Sequence, residues 1–142
     1  MVLSTLHKKD APATLTRLMN MGIAPFNIAS SVIWSTAQRL ARRLCKCKQP
    51  ADIPQAALIR AGFTEEELDG TWRPYHAVGC DICKGSGYKG RLGIYQVMPI
   101  TDEMTRIIMN NGNAIDIADH ARRDGVRDLR RAGLDKVRLG LT

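Results

Sequence analysis

Four cysteines in two close pairs constrain this chain more than any other feature of its sequence. Cys80-Asp81-Ile82-Cys83 has the two-residue spacing at which a tight turn aims both thiolates at one zinc ion. Gly85, Ser86 and Gly87 follow at once, and glycine lets the backbone curl until its amides donate to the sulfurs. Cys45 and Cys47 supply a second pair, so that four thiolates are available for a closed tetrahedral site. Such a site is structural, because no coordination position stays open for substrate. The second pair has only Lys46 between its cysteines, one residue instead of the usual two to four. The backbone there has to bend to bring both sulfurs in. Otherwise one of them stays off the metal and a fourth ligand comes from elsewhere, with His76 or water the candidates. Four free thiols are the alternative, since disulfides are disfavoured in a reducing cytosol.

The surrounding composition is that of a globular chain. Of 142 residues, 44% are hydrophobic and 25% charged, which suits one ordinary domain or a piece of a larger one. Aromatic residues make up only 5%, so a core has to come from Leu, Ile, Val, Ala and Met. No apolar run approaches the roughly 20 residues of a membrane span. The opening MVLSTLHKKD has no signal-peptide pattern, and a cytoplasmic chain is expected. The net charge of +7 raises the question of nucleic acid. Its arginines, however, fall in stretches read as helix faces (Arg39, Arg42, Arg43, Arg122, Arg123, Arg130 and Arg131) and are not interleaved with aromatics. A solvated basic face, or a subunit interface with an acidic neighbour, is the expected role, and no nucleic-acid partner is expected.

Most of the chain reads as helix. Val2 to Leu6 is a short apolar run expected as a buried strand ending at His7. Asp10 is placed to cap a helix with Pro12 in its first turn and Gly22 at its close. From Asn27, the residues Ile28, Val32, Ile33, Ala37, Leu40, Ala41 and Leu44 recur at three- and four-residue spacing, which predicts a second, longer helix through Leu44. Ser35, Gln38, Arg39 and Arg42 fall off its stripe, and Trp34 is expected to pack at an edge. Pro54 and Gly62 bracket a further helix. Thr64 and Glu67 form a capping box, with Phe63 and Leu68 as a hydrophobic staple. Cys80 to Gly93 reads as a glycine-dense loop, followed by a strand through Leu92, Ile94 and Val97 up to Pro99. Thr101 and Asn113 each cap a helix, the first ending at Asn111-Gly112 and the second at Gly125, and a last helix runs from Leu129 towards Leu141.

The stretches L-C-K-C-K and C-D-I-C-K-G-S-G-Y-K-G-R-L-G-I-Y-Q-V resemble the tetracysteine region of the type II secretion and type IV pilus motor ATPases. L-S-T-L-H-K-K-D-A-P-A-T-L-T-R-L-M-N-M-G-I-A-P-F resembles the family's histidine box and the helix after it, and A-Q-R-L-A-R-R-L-C between them is similar as well. D-A-P-A-T and A-P-F-N-I-A-S-S favour the pilus branch. The resemblance implies a hexameric ATPase with a RecA-like core, docked on an inner-membrane platform protein at the cytoplasmic face. It implies ATP bound between subunits, and His7 as the histidine that senses or positions the terminal phosphate. Lys8-Lys9 stand where the family usually has Thr-Asn, and Gln96 where a glutamate is common. The first departure replaces a hydroxyl and an amide by two ammonium groups near any nucleotide.

The 142 residues contain no G-x-x-x-x-G-K-[ST], so they offer no loop to cradle phosphates and no second acidic strand to hold Mg2+. The expectation is therefore a fragment of an α/β protein that does not turn over ATP alone. Residues 1–44 are expected to form an edge of the RecA-like core, 45–91 a zinc-binding subdomain and 92–142 a helical C-terminal subdomain. Two other classes share parts of the pattern. Cys80-x-x-Cys83-x-Gly85-x-Gly87 matches one repeat of the Hsp40 cochaperone zinc domain, and the positive charge suits a small zinc-containing nucleic-acid binder.

Overall fold

The computed structural model describes residues 1–142, a mixed α/β chain with six α-helices and two small two-stranded sheets. The helices are α1 (Ala11–Asn20), α2 (Pro25–Ser31), α3 (Gln55–Ala61), α4 (Asp102–Met109), α5 (Ala114–Arg123) and α6 (Leu129–Arg138). The strands are β1 (Trp34–Leu44), β2 (Gln49–Pro50), β3 (Tyr75–His76) and β4 (Tyr88–Pro99). β1 is hydrogen-bonded to β4, and β2 runs antiparallel to β3 with Gln49 opposite His76. The chain divides into two compact units. The first comprises Met1–Gln38 and Tyr95–Leu129, and the second Arg39–Ile94 and Arg130–Thr142.

The first unit holds the apolar core. Leu15 of α1, Ile28 of α2, Met98 of β4, Met104 and Ile108 of α4 and Ile117 of α5 are buried together. α1 packs on α2 and α5, and α4 packs on the same two helices. The helix boundaries follow local rules. The Asp10 carboxylate accepts the Ala13 amide at 2.9 Å, and Gly22 closes the first helix with φ +86°. The Thr101 hydroxyl accepts the Met104 amide, and Asn113 with Asp116 forms a complete capping box. In β1 and β4, Ser35, Ala37, Gln96 and Met98 turn inward while Trp34, Thr36, Tyr95 and Val97 turn outward. The two inward polar groups grip one residue. The Gln96 Oε1 accepts the Ala11 amide, and the Ser35 hydroxyl donates to the Ala11 carbonyl, both at 3.0 Å.

Several sequence expectations fail here. The longest is the helix from Asn27 to Leu44. α2 starts at Pro25, with Asn27 inside it, and stops at Ser31, where the Ser30 hydroxyl back-bonds to the Phe26 carbonyl. Val32 is already extended, because successive β-branched residues Val32 and Ile33 lose side-chain freedom in a helix. Trp34–Leu44 then joins β4 as a strand, although Ala, Gln, Arg and Leu are good helix formers. Propensity is a weak prior, and the ladder with β4 overrides it. The change inverts the expected faces. Ser35 is buried, Leu40 and Trp34 are exposed, and Arg39, Arg42 and Arg43 lie on a strand. Val2–Leu6 forms no strand and is exposed. β4 begins at Tyr88, inside the stretch read as loop.

The second unit is held differently. α3 lies between Pro54 and Gly62 as expected. The Thr64–Glu67 capping box forms, but around one turn of 3-10 helix rather than a longer helix. Phe63 packs against Trp72, with ring centroids 4.8 Å apart. Arg131 donates to both carboxylate oxygens of Glu67 and to the Gly62 carbonyl, and Arg130 donates to the Ala61 carbonyl. These bonds satisfy the last carbonyls of α3 and tie α6 to it.

The Ala11 clamp sets a stability test. Replacing Gln96 by Leu leaves the buried Ala11 amide without its acceptor, at a cost of about 1–3 kcal/mol. Chemical denaturation of Gln96→Leu should show that loss. A variant as stable as the parent would show that the bond contributes nothing net.

Candidate metal centre

All four cysteine sulfurs converge in the second unit, within 4.8 Å of one another. Cys45 and Cys80 lie 3.8 Å apart, Cys47 and Cys83 3.9 Å, and Cys80 and Cys83 3.7 Å. A tetrahedral ion with Zn–S bonds of about 2.3 Å separates its sulfurs by about 3.8 Å. A disulfide would require about 2.05 Å. The spacing therefore fits four thiolates around one zinc-sized ion.

Local backbone explains each position. β1 ends at Leu44, and Cys45 to Lys48 makes a turn in which the Lys48 amide donates to the Cys45 carbonyl at 3.0 Å. That turn removes the difficulty of the one-residue spacing, because Cys45 and Cys47 are no longer on a regular strand. The Cys45 amide donates to the Gly87 carbonyl, which joins the first pair to the second. In the second pair, Asp81–Cys83 forms a 3-10 turn and the Gly85 amide returns to the Cys80 carbonyl. The amides of Cys80 and Gly87 point at the Cys83 sulfur, at 3.1 and 3.2 Å. Amide donors to a ligand sulfur orient it and stabilise its negative charge.

Two glycines are required rather than merely permitted. Gly79 has φ +113°, and a Cβ there would stand 2.6 Å from the Gly85 carbonyl oxygen. Gly87 has φ +75°, and its Cβ would meet that of Ala77 at 2.5 Å. Sequence reasoning singled out Gly85, Ser86 and Gly87 but passed over Gly79. Its signal was the glycine immediately before Cys80, which mirrors the one after Lys84.

The thiols are electrically unequal. Burial pushes the Cys83 thiol up, but the Cys80 and Gly87 amides and the thiols of Cys80 and Cys47 outweigh it, and its pKa falls to about 6. For Cys47 the Gly79 amide pulls down, while burial and the Cys80, Cys45 and Cys83 side chains push up, and its pKa rises to about 11. The Cys83 sulfur thus favours the thiolate, and the Cys47 sulfur favours the thiol until a cation takes the place of its proton. Cys45 and Cys83 are buried, and Cys47 and Cys80 are half-buried. His76 lies on β3, exposed and outside the cluster. His7 lies in the exposed stretch before α1.

The geometry defines a four-cysteine centre in a mixed α/β chain, and sequence comparison supplies its lineage. The model of the type II/IV secretion system proteins matches residues 1–142, and the chain belongs to that family. Among curated relatives, it is 52% identical over 143 residues to the type IV pilus assembly ATPase PilB of Pseudomonas aeruginosa and 53% over 144 to that of Acinetobacter baylyi. It is 39% identical over 145 residues to the type II secretion system ATPase E of Vibrio cholerae. Each alignment covers 100% of this chain but only 25%, 25% and 28% of the relative. The chain thus spans about a quarter of their length.

The cluster makes a direct metal prediction. The isolated chain should carry one zinc per molecule by elemental analysis, and Cys45→Ser, Cys47→Ser, Cys80→Ser and Cys83→Ser should each lose most of it. His76→Ala should retain it in full. A folded, chelator-free preparation without zinc would overturn the assignment.

Proposed function

We propose that this chain is part of a motor ATPase that extends type IV pili, and that Cys45, Cys47, Cys80 and Cys83 hold a structural zinc ion in it. The observation that carries the pilus reading is whole-chain similarity to PilB, 52% and 53% identity against 39% to the secretion ATPase, while the pilus assembly ATPase TfpB of Acinetobacter baylyi stands at 38%. In this reading ATP and Mg2+ bind elsewhere in a longer protein that supplies the phosphate-binding loop. Residues 1–44 complete an edge of a RecA-like core, residues 45–91 carry the metal and residues 92–142 form a helical part, although in the chain's own packing these stretches interleave. The working form is a homo-hexamer in the cytoplasm, acting on an inner-membrane platform protein. No helix here is long and apolar enough to cross a membrane, so contact with that platform would be made from the surface.

Zinc supplies cross-linking rather than chemistry at such a centre. Thiolates are bound in place of protons, and the binding energy becomes folding energy. The dependence should be strong in the second unit, whose buried apolar residues are Cys45, Phe63, Pro74 and Cys83 alone. His7 is proposed to act on the terminal phosphate once the rest of the core surrounds it, with Lys8 and Lys9 adding positive charge beside it.

Substitution tests the branch. Exchanging the matching quarter of Pseudomonas aeruginosa PilB for this chain should preserve surface pili, and the same exchange in a secretion ATPase should not preserve secretion. The opposite pattern would assign the chain to secretion. The 142-residue chain itself should show no ATP hydrolysis above buffer. In the full-length hexamer, His7→Ala should lower turnover while zinc content stays unchanged, and equal turnover would return His7 to a surface role.

A further inference from the structure

The positive charge of the chain is concentrated in one half of it. Fourteen of the 21 basic residues, but only seven of the 14 acidic ones, lie in Arg39–Ile94 and Arg130–Thr142. The second unit therefore carries the whole net charge of +7, and the first is neutral. Three of its seven acids are already engaged. Glu67 binds Arg131 and lies 4.0 Å from Arg138, Asp135 lies 3.9 Å from Arg131, and the Asp69 carboxylate takes both the amide and hydroxyl of Thr71.

Some of the cations have a local explanation. Four thiolates around a divalent ion carry two net negative charges, and Lys46, Lys48 and Lys84 sit in the two cysteine turns. Lys48 also donates to the Gly140 carbonyl. Five more stand on the sheet: Arg39, Arg42 and Arg43 on β1, and Lys89 and Arg91 on β4. All are exposed, and neither strand contains an Asp or Glu. Arg43, Lys89 and Arg91 make no ion pair.

We infer that this basic half of the β1–β4 sheet is a docking surface for an extended acidic segment of another protein. Four of the five cations are arginines, whose planar forks pair carboxylates two bonds at a time. Strands space them at fixed intervals, which a second extended chain matches. Gly90, between Lys89 and Arg91, has φ +82° and nothing within 4 Å of where a Cβ would stand. A glycine of that kind within a strand leaves room for another backbone to approach, which a lipid headgroup does not need. Single-stranded nucleic acid needs open aromatic faces. Beside these cations Tyr88 is covered by the Arg42 guanidinium at 4.1 Å and Tyr75 by the Lys48 ammonium at 4.3 Å, and the exposed rings of Trp34 and Tyr95 stand at the opposite ends of β1 and β4. This surface goes beyond the pilus reading and stands without it, because the binding is measured on the chain itself.

The test uses the intact 142-residue chain and a fluorescent peptide of alternating Glu and Ser, followed by anisotropy at about 50 and 200 mM salt. Binding should weaken with salt. Arg43→Glu, Lys89→Glu and Arg91→Glu combined should weaken it about tenfold or more. An equal reversal in the first unit (Arg17→Glu, Arg106→Glu, Arg123→Glu) should change it less than about twofold. The triple glutamine version of the sheet residues serves if the glutamate version fails to keep its fold. Equal losses in both sets would reduce the effect to net charge and overturn the proposal. So would tighter binding, through the same three residues, to phosphatidylglycerol vesicles or to an oligo-dT strand.

Discussion

The convergence of four sulfurs is the constraint on which the second unit depends. Apart from Phe63 and Pro74, its buried apolar residues are two of the four cysteines themselves. A chain region with so little apolar burial cannot offset its conformational entropy by the hydrophobic effect alone. The cysteines also sit where the sheet needs fixing. Cys45 directly follows β1, and Gly87, which donates to the Cys83 sulfur and accepts from the Cys45 amide, directly precedes β4. Sulfur cluster, strand ends and turn are therefore one arrangement. The first unit follows the opposite plan, with six fully buried large side chains and no metal-binding group.

Features decided by neighbouring residues were legible in the sequence. The caps at Asp10, Thr101 and Asn113, the glycine stops at Gly22, Gly62 and Gly125, and the zinc-like spacing of Cys80 and Cys83 each involve bonds spanning a few residues. β1 was not legible, because its identity depends on β4, more than forty residues away in sequence. Its helical stripe of Ala37, Leu40, Ala41 and Leu44 is real as a pattern, yet only Ala37 among these is fully buried. Whether Cys45 and Cys47 face together was equally undecidable, since it turns on the single bend at Lys46. His7 shows the remaining limit. Its family resemblance is local, while any phosphate it would meet lies outside these 142 residues.

Polar groups settle matters that apolar burial leaves open. In the first unit, Ser35 and Gln96 fix the start of α1 by gripping both polar atoms of one peptide residue. Gln96 does this with an oxygen, so the amide's own protons are not needed for the bond, and a carboxylate could accept the same proton at a helix N-terminus. In the second unit, Glu67 plays a comparable part, capping its own 3-10 turn through the Thr64 amide while receiving Arg131. Each of these residues serves two elements at once, which makes its loss felt at both.

The backbone at Gly79 and Gly87 extends the metal centre's vulnerability beyond its ligands. Every amino acid reachable from a glycine codon by one base change carries a Cβ. At these two positions that atom meets the Gly85 carbonyl oxygen or Ala77 at far less than contact distance. An inherited change that leaves all four cysteines in place can thus still empty the site, by holding its loops open. A survey of damaging alleles that counts only cysteine codons would miss these two positions.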